Sequence, residues 1–207
     1  MIIPSILAKD RQDLKQILRK YKSLTGPFHV DIADGKFIPN TTVGLEEVEQ
    51  NLDKDFYVHL MVNKPEDIID FWLELSSLRG VVFHIESTSF SEDVISTIKF
   101  ASKEVFIAIK PDTSIDLLES LLDKVDGVHF MTVVPGFYGS DFIESVIPRI
   151  KEFHLNHLDI IIQADGGIDP DNIKELKDAG VSRFVIGSFL VNSRDVGKAI
   201  EELNLKV

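Results

Sequence analysis

Short apolar runs alternate with longer amphipathic stretches along the whole chain. Several runs are apolar at every position, as at residues 105–109 (VFIAI), which is typical of parallel strands that are covered on both faces. Strands that alternate with helical patterns of about 10–15 residues indicate βαβ units. The pattern predicts eight strands, at residues 2–7, 28–31, 56–60, 80–85, 105–109, 127–131, 160–164 and 183–187.

Helix boundaries are indicated by proline, glycine and capping residues between these strands. Pro65 and Pro170 stand where a helix is predicted to open, because the missing N–H costs little there. Asp169 and Ser193 are predicted N-caps. Gly180 is predicted to end the helix that follows Pro170.

Eight strand-helix units without a Gly/Ser/Pro linker predict one closed (β/α)8 barrel, a single domain over residues 1–207. An open doubly wound sheet is the alternative architecture. The chain has 207 residues and such barrels typically have about 250, so its loops and helices must be short. The active site of a barrel lies at the C-terminal ends of its strands.

The composition limits the classes of partner. A net charge of -12 argues against nucleic acid and against an anionic membrane surface. A small anionic substrate stays compatible with this charge if backbone N–H groups, helix N-termini and a metal supply local positive potential. The chain has no cysteine, no signal-peptide pattern and no apolar run of about 18 residues, so we expect a cytoplasmic protein outside the membrane.

Four residues that could ligate a metal lie at predicted strand ends. His29 and Asp31 are two residues apart and therefore face the same side of one strand. His59 and Asp165 end two others. If these strand ends lie side by side, they form a metal site of nitrogen and oxygen ligands and also a pair of acid/base groups. Asp31 and Asp165 each follow apolar residues, and a buried carboxylate needs a metal or a hydrogen-bond network to compensate for its burial.

The remaining candidates have weaker patterns. His84 either lines the site or forms a hydrogen bond to one of the metal-binding residues. His129 stands in the middle of a strand, and no role is assigned to it. His154 and His157 lie in a polar segment and are predicted to be exposed to solvent. Asp34 precedes a glycine and is predicted to form a turn.

Glycine loops follow the sixth, seventh and eighth predicted strands, at residues 134–140, 165–169 and 186–189. Glycine lets backbone N–H groups approach an anion closely. Phosphate sites in barrels commonly use the loops after the seventh and eighth strands. The three loops together therefore predict a phosphate-binding site.

Taken in order, these segments resemble the ribulose-phosphate 3-epimerase family from end to end. The matching segments are residues 4–7 (PSIL), 29–31 (HVD), 34–35 (DG), 37–40 (FIPN), 58–61 (VHLM), 135–137 (PGF), 165–168 (DGGI) and 187–188 (GS). The resemblance implies a (β/α)8 barrel that binds one divalent metal and a sugar phosphate. It also implies a homo-oligomer, a dimer or a hexamer.

The resemblance also implies roles for individual residues. The four metal ligands would be His29, Asp31, His59 and Asp165, and the two proton-transfer residues would be Asp31 and Asp165. Nitrogen and oxygen ligands suit Zn, Fe(II), Mn or Co. The substrate-binding residues would be Ser5, His59, Gly136, Phe137, Tyr138, Gly139, Gly166, Gly167, Gly187 and Ser188.

The implied reaction inverts C3 of a ketose phosphate, most simply D-ribulose 5-phosphate to D-xylulose 5-phosphate. The C3 proton is acidic because it is alpha to the C2 carbonyl, and a metal acting as a Lewis acid would stabilise the enediolate. One aspartate would remove the proton, and the other would return a proton to the opposite face.

The chain departs from the family at several positions. Ala33 stands where the family usually has methionine, in an apolar cap that also includes Met61 and Met131. The smaller residue leaves a hexulose phosphate such as allulose 6-phosphate open as the substrate. Tyr138 replaces a common glycine, and it would be strained if its φ were positive. Val134 and Arg11 also depart from the family, and Lys110 ends a strand where the family has lysine or asparagine.

Two further alternatives fit the same fold. Related barrels that perform decarboxylation or aldol chemistry resemble an Asp-x-Lys-x-x-Asp pattern on the third strand, but residues 58–63 read VHLMVN and contain no lysine. A non-catalytic sugar-phosphate-binding barrel is the other alternative. Retention of all four implied ligands argues against it.

Overall fold

A computed structural model describes the whole chain, Met1–Val207. Its eight parallel strands close into one barrel in sequence order, with the last strand paired to the first. This confirms the predicted (β/α)8 barrel and excludes the open sheet. The strands are β1 (Ile2–Ile6), β2 (Phe28–Ala33), β3 (Phe56–Met61), β4 (Leu78–His84), β5 (Glu104–Ile109), β6 (Gly127–Met131), β7 (Ile161–Asp165) and β8 (Arg183–Ile186).

The helices surround the barrel and are short, as the chain length requires. Only α1, α4 and α5 reach ten residues, and a single 3-10 helix joins β5 to β6. None of the helices is both long enough and apolar enough to span a bilayer. The α-helices are α1 (Arg11–Lys20), α2 (Leu45–Asn51), α3 (Ile69–Leu73), α4 (Ser91–Phe100), α5 (Val146–Asn156), α6 (Ile173–Asp178), α7 (Ser188–Asn192) and α8 (Val196–Asn204). The 3-10 helices are Pro65–Asp67, Ile85–Ser87 and Ile115–Leu118.

The predicted boundaries of α6 are partly correct. Gly180 follows the helix with φ of 107°, a value that favours glycine, so the predicted stop is confirmed. Pro170 lies in a turn that precedes the helix, and the helix itself begins only at Ile173. The Asp169 carboxylate accepts hydrogen bonds from backbone N–H groups of this turn, but the N-cap of the helix is Asn172, so the prediction that Asp169 is the N-cap is wrong.

The two other boundary predictions differ in outcome. Pro65 opens a helix as predicted, but it is a 3-10 helix of three residues. Ser193 is not an N-cap: it ends α7, and its hydroxyl donates to the carbonyl of Leu190. The N-cap of α8 is Asp195, whose carboxylate accepts from the N–H of Lys198 at 3.2 Å. Two capping residues stand two positions apart here, and the sequence pattern does not distinguish them.

The main hydrophobic core lies between the strands and the helices, and a smaller cluster fills the inside of the barrel. The inner cluster consists of Tyr57, Val82, Phe106 and Ala108. The guanidinium of Arg183 lies 4.8 Å from the centre of the Phe106 ring. These side chains close the lower interior, so the polar residues gather at the opposite, C-terminal end of the strands.

Gly127 makes room for Phe106 inside the barrel. The two residues are register partners on β6 and β5. A Cβ atom on Gly127 would lie 2.5 Å from Cε1 of Phe106 and would overlap the carbonyl oxygen of Ile161. A larger residue at this position would displace the aromatic ring and the neighbouring strand.

We therefore predict that Gly127→Ala lowers the free energy of unfolding by about 1–3 kcal/mol through overpacking. Urea unfolding followed by circular dichroism measures this change. Gly26→Ala is the matched control, because a Cβ at Gly26 meets no atom within 4 Å, and its effect should stay within about 0.5 kcal/mol. Equal stability of the two variants would contradict the packing role of Gly127.

Candidate active site

Two imidazoles and two carboxylates meet at the C-terminal end of the barrel. Asp31 on β2 is the register partner of His59 on β3, and His59 Nδ1 lies 2.9 Å from Asp31 Oδ1. His29 Nε2 lies 3.5 Å from the same Asp31 oxygen. Oδ2 of Asp165, on β7, lies 3.7 Å from both of these imidazole nitrogens. The barrel thus brings together the four residues that the sequence predicts to converge.

These four side chains are almost completely removed from water. The two histidines are fully buried, and Asp31 and Asp165 are 4% and 8% exposed. Burial favours the protonated form of each carboxyl group, but His29 and His59 outweigh it at Asp31 and lower the pKa of Asp31. At Asp165, burial and the negative charge of Asp31 both raise the pKa. Among the protein groups alone, one carboxyl group therefore favours the ionised form and the other the protonated form.

His84 and Glu86 form a chain of hydrogen bonds that orients the ring of His59. His59 Nε2 lies 3.0 Å from His84 Nε2, and His84 Nδ1 lies 3.3 Å from a carboxylate oxygen of Glu86. The carboxylate can only accept, so His84 carries its proton on Nδ1 and accepts from His59 through Nε2. His59 then has a lone pair on Nδ1, which faces Asp31 at 2.9 Å. Two lone pairs this close need a proton or a cation between them. A proton there makes the hydrogen bond by which His59 lowers the pKa of Asp31, and a metal ion would take the place of that proton.

Glu86 is itself anchored at the rim of the site. Its other carboxylate oxygen accepts from the N–H of Lys110 at 2.8 Å and from the hydroxyl of Thr113 at 2.6 Å. Burial opposes ionisation of Glu86, but His84 and these donors outweigh it and lower the pKa of Glu86. The ammonium of Lys110 lies 4.0 Å from the centre of the Phe37 ring, so Lys110 packs beside the site.

His129 belongs to the same cluster, although the sequence analysis assigns it no role. It is fully buried, and its Nε2 lies 3.3 Å from Asp165 Oδ2. His129 precedes Met131 by two residues, and alternate residues of a strand share a face. Because Met131 was already predicted in the apolar cap of the site, this spacing was a signal that could have placed His129 in the interior.

The cluster fits a divalent metal. One ligand atom each from His29, His59, His129 and Asp165 can be chosen so that all lie within 4.8 Å of one another. Neither ring nitrogen of His29 has a hydrogen-bond partner, although the residue is fully buried. Buried polar atoms are nearly always paired, and a cation would pair with a nitrogen of this ring. The imidazole and carboxylate donors suit a borderline transition metal.

A cleft opens directly above the cluster. The hydroxyl of Ser5 donates a 2.6 Å hydrogen bond to Asp31 Oδ2 at its base. Every residue predicted to contact metal or substrate lines this cleft except His29 and His59, which lie beneath it. The lining residues are Ser5, Leu7, Asp31, Met61, Met131, Val133, Gly136, Phe137, Tyr138, Gly139, Ser140, Asp165, Gly166, Gly167, Gly187 and Ser188.

The glycine loops form one side of the cleft with close backbone packing. A Cβ on Gly166 would overlap the side chain of Val133, and φ at Gly166 is 115°. A Cβ on Gly187 would overlap the ring of Tyr138. Glycine is therefore required at both positions, and it keeps the backbone of these loops open to the cleft.

Tyr138 fits its loop without backbone strain, because its φ is not positive. Its ring packs against Gly187, and its hydroxyl accepts from the N–H of Leu7 at 2.8 Å and donates to the carbonyl of Ser5 at 3.2 Å. The strained alternative considered from the sequence is therefore wrong. Tyr138 ties the loop after β6 to the end of β1.

The other departures from the family leave the cleft intact. Ala33 packs with Ile38 and Met61 and does not reach the cleft, so the hexulose phosphate stays open as a substrate. Val134 is 69% exposed. Arg11 lies at the start of α1 and donates to the side chain of Gln50 at the surface.

The remaining polar candidates lie outside the site. Asp34 accepts three backbone N–H bonds, so the predicted turn is confirmed. The prediction that His154 and His157 are exposed is wrong, because both are only partly accessible. The His154 ring packs closely against Gly180, and His157 Nε2 lies 3.2 Å from a carboxylate oxygen of Glu119. These are tertiary contacts that local polarity does not indicate.

Comparisons with known proteins agree with this geometry. The model of the Ribulose-phosphate 3 epimerase family matches residues 1–191. The chain is 33% identical over 212 residues to a ribulose-phosphate 3-epimerase of Mycobacterium bovis, covering 98% of this chain and 91% of that protein. It is 32% identical over 211 residues to the Bacillus subtilis protein of the same name, covering 98% and 97%.

Similarity to solved structures extends to the fold alone. The crystal structure of KGPDC from Streptococcus mutans superimposes with a TM-score of 0.74 at 12% sequence identity, covering 99% of this chain and 95% of that one. Such low identity carries no information on the reaction. It does show that a known barrel has the same overall architecture.

Proposed function

The chain belongs to the ribulose-phosphate 3-epimerase family, and from that membership and its site we propose that it interconverts D-ribulose 5-phosphate and D-xylulose 5-phosphate. Its class is that of the carbohydrate epimerases, which are isomerases. One observation carries the proposal for this chain. Asp31 and Asp165, from strands β2 and β7, lie within 3.7 Å of one imidazole nitrogen and favour opposite protonation states.

Inversion at C3 needs an acceptor for one proton and a donor of another on opposite faces of a planar intermediate. Asp31, whose pKa is lowered, takes the C3 proton, whose acidity comes from the adjacent C2 carbonyl. Asp165, whose pKa is raised, delivers a proton to the other face. The two residues exchange protonation states in each turnover, and the reverse reaction uses them in the opposite order.

The metal would be held by His29, Asp31, His59 and Asp165. A bound Zn, Fe(II), Mn or Co ion would act as a Lewis acid that stabilises the negative charge of the enediolate. His84 and Glu86 orient His59 so that its Nδ1 lone pair points into the cluster.

The substrate would lie in the cleft with its phosphate on the glycine loops. Gly136, Phe137, Tyr138, Gly139, Gly166, Gly167, Gly187 and Ser188 surround that part of the cleft. Ser5 is hydrogen-bonded to Asp31 and would contact the sugar next to the reacting carbon. Met61, Met131 and Val133 supply an apolar wall that excludes water from the intermediate.

We predict that the purified protein converts D-ribulose 5-phosphate to D-xylulose 5-phosphate. A coupled assay for xylulose 5-phosphate measures this, with allulose 6-phosphate offered in parallel under the same conditions. Because Met61 and Met131 still form an apolar wall of the cleft, kcat/KM should be higher for the pentulose phosphate. A higher value for the hexulose phosphate would establish the alternative substrate. No turnover of either would favour the non-catalytic barrel.

We predict that Asp31→Asn and Asp165→Asn each lower kcat by at least about 10²–10⁴-fold, the usual contribution of a general acid or base. The barrel should remain folded, which circular dichroism and thermal unfolding can verify. Asp34→Asn is the matched control, because Asp34 is in a turn next to the site and faces backbone N–H groups. Near-parent turnover by Asp31→Asn or Asp165→Asn would remove that residue from proton transfer.

Removal of the metal should abolish turnover and leave the barrel folded. The protein is treated with a chelator, and its metal content and its activity are measured on the same sample. Addition of Zn²⁺, Co²⁺, Fe²⁺ or Mn²⁺ should restore activity, while Mg²⁺ should be less effective because imidazole ligands suit it poorly. Full activity in rigorously metal-free protein would contradict the Lewis-acid part of the proposal.

A further inference from the structure

We propose that His129 is an additional ligand of the metal centre and that its Nε2 binds the cation. The inference rests on the proposed function, because it concerns the same cation. It goes beyond the ligand set implied by the family resemblance, which consists of His29, Asp31, His59 and Asp165.

The position of His129 suits a ligand. Its Nε2 lies 3.3 Å from Asp165 Oδ2, and it belongs to the group of ligand atoms that all lie within 4.8 Å of one another. Ligand atoms bound about 2.0–2.2 Å from one cation are separated by roughly 3–4 Å. The 3.3 Å separation is therefore the spacing expected of two ligands of a common ion.

The surroundings of His129 fit a metal ligand. The residue is fully buried, and its Nε2 has no hydrogen-bond partner. Leaving such a group unpaired is destabilising. The rings of His29 and His59 lie beside it, with centroids 5.4 Å and 4.8 Å from its own. A cation between these three imidazoles would remove the penalty, whereas an apolar residue would serve equally well if the position were only structural.

Gln163 provides the support that a ligand histidine needs. Its amide nitrogen lies 2.8 Å from His129 Nδ1, and its amide oxygen has no partner. The oxygen and nitrogen of an amide are interchangeable by a half-turn that leaves the positions of both residues unchanged. After that half-turn, Gln163 Oε1 accepts from Nδ1–H of His129. The tautomer is then fixed with a free lone pair on Nε2, the usual arrangement behind a metal-bound imidazole.

The competing role for His129 is donation of a hydrogen bond from Nε2–H to Asp165. A charge-assisted bond of this kind is normally about 2.7–2.9 Å long. The observed separation is 3.3 Å, and the geometry does not meet that of a hydrogen bond. The contact therefore fits two ligands of one ion better than a donor and its acceptor.

A third imidazole has a consequence for metal preference. Nitrogen donors favour Co²⁺ and Zn²⁺ over Mn²⁺ and Mg²⁺, which prefer oxygen. If His129 is a ligand, its removal should weaken Co²⁺ binding more than Mn²⁺ binding. A residue that only filled space would not change the ratio of the two affinities.

The first test uses the unaltered protein. Extended X-ray absorption fine structure of the Co²⁺-loaded or Zn²⁺-loaded chain counts imidazole ligands through their multiple-scattering signal. Three imidazoles are expected, and two would overturn the inference. A chain that binds no divalent cation would instead refute the metal part of the proposed function. A chain that binds the metal through two imidazoles and still epimerises would refute only the role of His129.

The second test is His129→Leu, which has a similar volume and no polar atom. Competition with a chromophoric chelator should show Co²⁺ affinity lower by about 10–100-fold or more, a smaller loss for Mn²⁺, and an altered visible spectrum of bound Co²⁺. The metal-free variant should unfold at the same temperature as the parent or a higher one, because an unpaired buried group is removed.

The matched control is His157→Leu, because His157 pairs with Glu119 at the surface and lies outside the site. It should keep the Co²⁺ affinity and the spectrum of the parent. If His129→Leu also keeps both, the inference is wrong. If His129→Leu does not fold, the imidazole count on the parent protein decides the question.

Discussion

Several ionisable groups are buried together at one end of the barrel, and their burial determines most of the other contacts in the site. His29, His59 and Asp31 have almost no contact with water, so each polar atom needs a partner supplied by the protein or by a ligand. The hydrogen bonds around the site meet this need. The hydroxyl of Ser5 reaches Asp31, and Glu86 stabilises the imidazole of His84 behind His59. At the cluster, His29 Nε2 and His129 Nε2 have no hydrogen-bond partner, and a cation bound there would pair with them.

The barrel makes this burial possible because its lower interior is closed by apolar packing. Phe106 fills the centre, and it can do so only because its register partner is Gly127. On β6 the same face carries Gly127, then His129, then Met131, so one strand contributes to the packed base, to the cluster and to the cleft wall. Residues that stabilise the barrel therefore lie at its base, and residues of the site lie nearer its C-terminal end. Along one face of β6, the two sets are only two residues apart.

The parts of the fold and site that could be predicted are those encoded locally. Apolar runs located all eight strands, and the strand-end position of Asp31 and Asp165 followed once the barrel was inferred. Contacts between distant segments could not be predicted in this way. The burial of His154 against Gly180 depends on how α5 packs on the chain after α6. The role of His129 is hard to predict for a different reason: its alternation with Met131 is visible in the sequence, but its partner Asp165 lies on another strand.

Neutral imidazole ligands help an acidic protein to bind an anionic substrate, whereas additional carboxylate ligands would repel it. The chain has a net charge of -12, and its proposed substrate is an anion that becomes more negative as the enediolate forms. Each carboxylate ligand cancels positive charge on a divalent cation, while each neutral imidazole holds the cation and leaves its charge available. A site with Asp31 and Asp165 already contains the two acids that the inversion requires. A further ligand should therefore be uncharged, and burial, which lowers the pKa of His129, keeps that imidazole neutral.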